Sequence, residues 1–512
     1  MTQRPRTILA GGTVLDGSGS PSFQADLLIE DGRISSIARS SEKTGGGLAQ
    51  IDGTNVIDCV GLVVAPGFID AHSHSDLQVL ESRMEKIRQG VTTEVVGNCG
   101  FSTYPMPADP TILRDFANGI LCGDDHWGWE GAGDYLKSSR DHSAVNVVSL
   151  VGHGALRIKA VGNTSRALTS AELSGMGREL EKALSDGASG LSSGLMYAPG
   201  SGASADELVE LCKIVAARGG TYSTHMRSYG LELVEAVEEQ LDIARRSGCR
   251  LQISHMQAVG AECWPLQERA LSILEDATAE GIDVEFDSYP WTAGSTVLTQ
   301  LLPQSALDGG VAGLLSRLGD TSVREEIRRE VEREHGKRWN ELFISSAGRN
   351  EQSLVGRSIE EIAEERGCLP SDAVLDILLE QDGIANILEH NQSLENLRVL
   401  LTHRLCSIVS DGFYTKGRPH PRLFGTFPLL LGEIVRERHW LSLEEAIHKI
   451  TGKPAARFRL IDRGLVRAGY RADLTIFDAN SVRTGATYDN PTVPPEGIKF
   501  VFRNGCNILS GV

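Results

Sequence analysis

The hydrophobic and polar positions of this chain fall into three regimes. Residues 1–65 alternate in short runs, at Thr7 to Leu9, at Asp26 to Ile29 joined through Asp31-Gly32 to Arg33 to Ile37, and at Val56 to Val64. Apolar runs separated by an Asp-Gly pair predict strands and a hairpin. Residues 462–512 return to that style, with a strand at Ala472 to Phe477 and two more from Ile498 to Leu509 turning at Asn504-Gly505. Two β-rich ends around a different middle predict one small β-sandwich domain formed by both termini.

Residues 66–461 instead alternate short apolar strands with helical patterns, the signature of βα units and a parallel sheet. Strands are predicted just before His72 and at Thr93 to Val96, Val145 to Leu150, Gly190 to Leu195, Thr221 to Thr224, Leu251 to Ser254, Val284 to Asp287 and Ser407 to Ser410. Eight parallel strands with intervening helices predict an α/β fold, a closed (β/α)8 TIM barrel. The gap between the seventh and eighth strands far exceeds a usual loop of ~2–6 residues. Val323, Ile327 and Val331 at four-residue spacing, with Ala373, Leu375, Ile377 and Leu378 on another helical face, predict a helical insertion over about 302–400. Placed beyond a strand's C-terminal end, it would overhang the active face as a lid.

Composition narrows the function classes. Acidic residues outnumber basic ones 68 to 50, a formal charge of −18, and no dense Lys/Arg run tracks a phosphate backbone, which argues against nucleic acid as a partner. No run approaches the ~18 apolar residues of a membrane span. Met1 to Gly19 lacks the apolar stretch and small-residue cleavage site of a secretory signal, so a cytoplasmic protein without membrane association is expected. Nine cysteines without a CxxC pair argue against a disulfide framework and a four-cysteine zinc finger. Most are expected in the core, with Cys99 the exception.

The segment Gly67-Phe68-Ile69-Asp70-Ala71-His72-Ser73-His74 ends an apolar strand in two histidines whose spacing points both rings to one face. Two neutral imidazoles there form half a site for a borderline-soft cation such as zinc, although two structural histidines fit the same pattern. His225 in Thr224-His225-Met226-Arg227 and His255 in Ser254-His255-Met256-Gln257 also end predicted strands, so four of thirteen histidines occupy equivalent positions. Cys99 follows the second strand in Val95-Val96-Gly97-Asn98-Cys99-Gly100, and Asp411 ends the eighth in Val409-Ser410-Asp411-Gly412. Six donors at one mouth exceed the usual four-coordinate zinc shell, which implies two metals or one metal beside a free general base.

On these residues the chain resembles the amidohydrolase superfamily, and within it the D-aminoacylases, or N-acyl-D-amino-acid deacylases, over nearly its whole length. The matching elements are Gly67 to His74, Thr92 to Gly100, Gly190 to Gly200 and Gly464 to Asp478. Most binuclear amidohydrolases bridge their metals with a carboxylated lysine at the end of strand four; Gly190 to Gly200 holds no lysine, and the resemblance implies that Cys99 replaces it. It also implies that Cys99, His225 and His255 hold one Zn2+ tightly, while His72, His74 and Asp411 define a weaker second position. Zinc lowers the pKa of nearby water from ~15.7 towards ~7 and polarises the scissile carbonyl. Asp411 then acts as general acid/base, taking the water proton and delivering it to the departing nitrogen.

By the same likeness Tyr289 matches a position that holds the substrate carboxylate, with Ser295 near the substrate, while Tyr197 and Met196 line a side-chain pocket or pack beneath the lid. Arg227, two positions beyond a ligand, either meets a substrate carboxylate or forms a loop salt bridge. His153, after strand three, is expected to orient substrate or support it. Gln257 stands where relatives carry Lys, and Ser228-Tyr229-Gly230 follows Arg227 where relatives often have an acidic residue. The implied reaction is zinc-dependent hydrolysis of a small N-acyl-D-amino acid to a D-amino acid and a carboxylate. A cyclic imide, lactam or ureide is the alternative substrate class. A third reading, a catalytically silent assembly protein on the same barrel, is disfavoured because none of the six ligands is missing.

Overall fold

The structure, a computed structural model, describes residues 6–39, 54–81, 83–123, 127–335, 338–348 and 351–509. Five strands come first: β1 (Thr7–Val14), β2 (Phe23–Glu30), β3 (Arg33–Arg39), β4 (Asn55–Asp58) and β5 (Val63–Pro66). Seven follow between helices: β6 (Phe68–Asp70), β7 (Val91–Val96), β8 (Asn146–Gly152), β9 (Gly190–Gly194), β10 (Thr221–His225), β11 (Arg250–Ile253) and β12 (Val284–Ser288). Then come β13 (Gly294–Val297), β14 (Leu342–Ala347), β15 (Ala385–Glu389), β16 (Cys406–Ile408), β17 (Leu474–Phe477), β18 (Ile498–Arg503) and β19 (Cys506–Asn507).

Strands from both ends of the chain hydrogen-bond in the order β19-β18-β17-β5-β1-β2-β3, with β4 beside β1, and Leu9, Ile29 and Ile34 of the first strands share one buried core with Leu474, Ile476 and Phe502 of the last. The two hairpins close where Asp-Gly and Asn-Gly predict. Asp31 and Gly32 have φ of 50° and 78°, Asn504 and Gly505 48° and 76°, the left-handed pairs of a type I′ turn. The run Val56 to Val64 is not one strand. Leu62 N–H bonds back to the Cys59 carbonyl at 2.9 Å around Gly61, and the break leaves β4 and β5 each parallel to β1.

The central sheet runs β16-β12-β11-β10-β9-β8-β7-β6, with parallel neighbours throughout. All eight strands coincide with the predicted positions to within a few residues. The strands β7, β9 and β10 are buried at every position, as expected for a sheet covered on both faces. The covering helices follow from period-3.6 patterning. Leu233, Val237, Leu241 and Ala244 form the buried stripe of the helix Leu233–Ser247, which Gly248 ends in left-handed backbone at φ 72°. The closed barrel expected from eight strands is not closed by a ladder: β6 and β16 do not pair as strands. The two edges meet just beyond them, through a bridge of Ser73 with Gly412 and hydrogen bonds from His74 N–H to Gly412 (3.0 Å) and from Asp411 N–H to His72 (2.9 Å).

The segment between β12 and β16 differs from the expected all-helical insertion. It contains the predicted helices Thr321–His335 and Pro370–Glu380, and also a three-stranded antiparallel sheet in the order β13-β15-β14. It has its own core, in which Leu298, Ile327, Val331, Ile344, Leu375 and Ile387 are buried together. Of the cysteines other than Cys99, Cys59, Cys212, Cys249, Cys263 and Cys406 are buried, as expected of small core residues. Among the described residues no helix is long and apolar enough to cross a membrane.

Candidate active site

Six side chains converge at the C-terminal ends of the central strands. His72 and His74 follow β6, Cys99 follows β7, His225 ends β10, His255 follows β11 and Asp411 follows β16. Their donor atoms form three overlapping groups, His72/His74/Cys99, Cys99/His225/His255 and His72/His255/Asp411, within each of which all ligand atoms lie within 4.8 Å of one another. Cys99 Sγ is 3.3 Å from His72 Nε2 and 3.5 Å from His255 Nε2. Asp411 Oδ1 is 3.3 Å from His72 Nε2 and 3.4 Å from His74 Nε2. All six are buried.

The local backbone is unusual at three of these residues. Cys99, His255 and Asp411 have φ of 52°, 35° and 50°, the left-handed region that side chains other than glycine rarely adopt. Left-handed backbone breaks the in-out alternation of a strand, and such strain gathers at sites where the surroundings hold it in place. Gly97 makes the approach to Cys99 possible, because a Cβ there would lie 2.2 Å from the Leu150 carbonyl oxygen.

The polar inventory fits a soft divalent cation. Both ring nitrogens of His225 are buried without a hydrogen-bond partner among the described residues, a cost that a bound ion would relieve at one of them. Burial holds His225 down to about 4, so its ring is neutral and has a lone pair to donate. Burial alone would raise the Cys99 thiol, but His72 and the other imidazoles around it outweigh burial and hold it well below its ordinary value. A thiolate, imidazoles and a carboxylate form a zinc-type donor set, and these residues could hold one such ion or two.

A family model described as "Amidohydrolase family" matches residues 55–505. This chain belongs to the amidohydrolase family. The amidohydrolase is 36% identical to a D-aminoacylase of Alcaligenes xylosoxydans xylosoxydans over 505 residues, covering 98% of this chain and 94% of the relative. It is also similar to the crystal structure of an N-acyl-D-glutamate deacylase from Bordetella bronchiseptica complexed with zinc and a phosphonate inhibitor, with a TM-score of 0.84, 30% identity and coverage of 99% and 96% of the two chains. A D-aminoacylase structure concerned with its binuclear metal centre matches with a TM-score of 0.80 and 34% identity, covering 98% and 96%.

Around the donors of this amidohydrolase lies a cavity of about 620 Å³ lined by His74, Cys99, His225, His255 and Asp411, with His72 beneath them. Of the predicted substrate contacts, Tyr197, Gln257, Tyr289 and Ser295 line it too, as does Met196. The Tyr289 hydroxyl donates to Gln257 Oε1 at 3.1 Å, and Gln392 donates to the same oxygen. Arg227 and His153 are placed elsewhere. Arg227 turns to Glu239 on the following helix (3.1 Å) and to the carbonyls of Ser201 and Ala203, so it forms the salt bridge that was the alternative to a carboxylate contact. His153 bonds through Nε2 to Glu207 at 2.7 Å, and Glu207 also pairs with Arg157 at 2.6 Å, a buried network behind the loop that carries Tyr197.

Three residues in the site have no counterpart among the sequence expectations. Arg422 is buried, lines the cavity and places Nη1 2.9 Å from Asp411 Oδ2. Asp287 accepts from His72 Nδ1 at 3.2 Å and from the His255 backbone N–H at 2.7 Å. The Tyr229 hydroxyl links Met226 N–H and the Ser254 carbonyl, both at 3.0 Å, and its ring packs 5.1 Å from the rings of His225 and His255. An unassigned carboxylate at the end of strand seven was the available signal for Asp287. Arg422 opens the short helix Arg422–Leu429 and Tyr229 lies in a loop, and neither carries a periodic mark.

Proposed function

We propose that this amidohydrolase cleaves the amide bond of N-acyl-D-amino acids, releasing a D-amino acid and a carboxylate. The observation that carries the reading is Asp411, which faces His72 and His74 with one oxygen and Arg422 with the other, beside Cys99, His225 and His255. A proton-handling carboxylate and a cation suited to a substrate carboxylate thus share one buried corner. The likeness to a D-aminoacylase and an N-acyl-D-glutamate deacylase supports the linear amide and the D configuration.

Cys99, His225 and His255 would hold one zinc ion, with His72, His74 and Asp411 as a weaker second position; zinc there supplies Lewis acidity and makes hydroxide available near neutral pH. Burial would raise the Asp411 carboxyl, but Arg422, His72 and His74 outweigh it and hold the group well below the usual carboxylate range. Asp411 is therefore ionised at neutral pH. It accepts the proton of the attacking water and returns it to the amide nitrogen as the C–N bond breaks, which spares the leaving group from departing as an amide anion.

Arg422 takes the substrate carboxylate, the role that Gln257 cannot fill without a charge. Its guanidinium lies 4.7 Å over the Tyr289 ring, which fixes its plane, and its Nε has no hydrogen-bond partner among the described residues. Arg333, His335, Arg338 and Glu389 of the insertion line the same cavity. The segment 302–400 thus acts as a lid that keeps bulk water from the reacting amide.

The test is turnover by purified, zinc-loaded protein on paired N-acetyl-D- and N-acetyl-L-amino acids beside hydantoin and dihydropyrimidine. Release of free amino acid from the D series alone is expected. Turnover of only the ring compounds rejects the proposal.

A further inference from the structure

A second cavity of about 90 Å³ adjoins the main one and shares Ile120, Tyr197 and Gln300 with it. An aromatic wall leads into it from the donor cluster. The Phe101 ring lies 6.4 Å from that of His74 and stacks on Phe116 at 4.6 Å and 20°. Tyr197 packs against both Phe101 (4.9 Å) and His225 (4.8 Å), and its hydroxyl is held by Thr296 at 3.3 Å. Further in, Leu307, Val311, Leu314 and Ile384 of the insertion add apolar side chains, beside the neutral polar Asn118, Asn163, Thr299 and Gln300. Its one charged lining residue among those described is Asp115, which is solvent-exposed.

The position of this cavity identifies what enters it. Phe101, Phe116 and Ile120 follow β7 and Tyr197 follows β9, whereas Gln257, Tyr289 and Arg422 follow β11, β12 and β16. In the sheet order these are separate arcs, parted by β10 with His225 on one side and by β6 with His72 and His74 on the other, while Cys99, His255 and Asp411 stand on the arcs themselves. In an N-acyl amino acid the carboxylate and the acyl chain likewise lie on opposite sides of the scissile carbonyl. With the carboxylate at Arg422 and the carbonyl at the donors, the acyl chain points to the side cavity.

We propose that this side cavity binds a linear saturated acyl chain, and that the enzyme prefers N-acyl-D-amino acids whose acyl group is longer than acetyl. The inference rests on the deacylase reading and names the acyl class within it. Chemically the step stays a hydrolysis: the C–N bond breaks, the water oxygen bonds to the acyl carbon and a water proton goes to nitrogen. A partly apolar lining whose one charged residue among those described is an acid favours alkanoyl over succinyl groups, since a carboxylate finds no cation there.

The experiment compares kcat/KM of the zinc-loaded, full-length enzyme on N-acetyl-, N-butanoyl-, N-hexanoyl- and N-succinyl-D-leucine. Transfer of each methylene from water predicts a rise of about fourfold per CH2 towards hexanoyl, and succinyl below butanoyl. Leu314→Trp fills the cavity and should bring the hexanoyl-to-acetyl ratio towards one. If that buried substitution fails to fold, the half-buried Val311→Phe makes the same test. A hexanoyl-to-acetyl ratio of one or less in the native enzyme overturns the proposal, as does a ratio that neither variant lowers. Absence of turnover at every chain length overturns the deacylase reading itself, and the acyl assignment with it.

Discussion

Asp287 offers the sharpest test of how the donors are held. Its Oδ1 accepts from His72 Nδ1 at 3.2 Å and from His255 N–H at 2.7 Å, while Oδ2 accepts from Gln252 Nε2 at 2.9 Å. A carboxylate only accepts, so His72 donates from Nδ1, which leaves Nε2, 3.3 Å from both Cys99 and Asp411, as the nitrogen a bound ion would engage. Asp287→Asn keeps the shape and one accepting oxygen. Its new amide N–H group faces Gln252, whose own Oε1 is buried without a partner, so rotation of that amide restores a bond. The fold is therefore expected to lose only about 1 kcal/mol, while loss of the charge behind His72 weakens zinc binding at the second position about 10–100-fold.

Asp287→Ala behaves differently, because it strands three buried donors at once. At about 1–3 kcal/mol for each unmet group the loss reaches a large part of a typical stability of ~5–15 kcal/mol. Urea unfolding of the metal-free proteins, with zinc titration against a chromogenic chelator, separates the two effects. The reasoning fails if Asp287→Asn binds its second, weaker zinc as tightly as the native protein, or if the Ala variant is as stable as the Asn variant.

Cys99→Ala is expected to lower zinc content by elemental analysis, whereas Asp411→Ala keeps the tighter zinc and loses turnover; full zinc content in the Cys99 variant contradicts the ligand assignment. Burial and the neighbouring Arg338 hold His335 at about 4 against an ordinary 6.5, so the unfolded chain binds that proton first and stability falls as pH drops from 6.5 towards 4. His335→Gln should flatten this fall, and urea midpoints that shift with pH equally in both proteins would contradict it.

The central strands and the six converging donors were legible because both are local. A strand end carries its ligand within a few residues, as in Ile69 to His74 or Val95 to Cys99, and such ends can be aligned without knowing the fold. The insertion's sheet was not legible, because Leu342–Ala347 and Ala385–Glu389 are short runs that periodicity alone does not distinguish from buried helix. Arg227 shows the limit of sequence proximity: it stands two positions from His225, yet its side chain follows Glu239, twelve residues on. Asp287 acts through His72, 215 residues away in the chain, a pair that exists only once the strands are assembled, whereas Arg422 reaches back to the nearby Asp411 from the start of a helix.

The seam between β6 and β16 shows why the chemistry gathers where regular pairing lapses. A complete ladder there would hold both edges in extended backbone with side chains alternating in and out. Instead Asp70 does the joining: its Oδ1 accepts from Ser410 N–H at 2.9 Å, its other oxygen accepts from the Ser410 hydroxyl, and the buried Lys86 ammonium contacts both partners. A carboxylate fastened to the opposite backbone replaces the ladder while leaving the next residues free of it. Asp411, one position on, can then turn into left-handed backbone at φ 50° and still be anchored by its N–H to His72. Such a backbone costs about 1–3 kcal/mol and persists only when its surroundings over-determine it, which the Asp70–Ser410–Lys86 cluster does. The segments Asp70 to His74 and Ser410 to Gly412 thus each carry a fastening residue and a donor, and the donor's direction depends on the fastening beneath it.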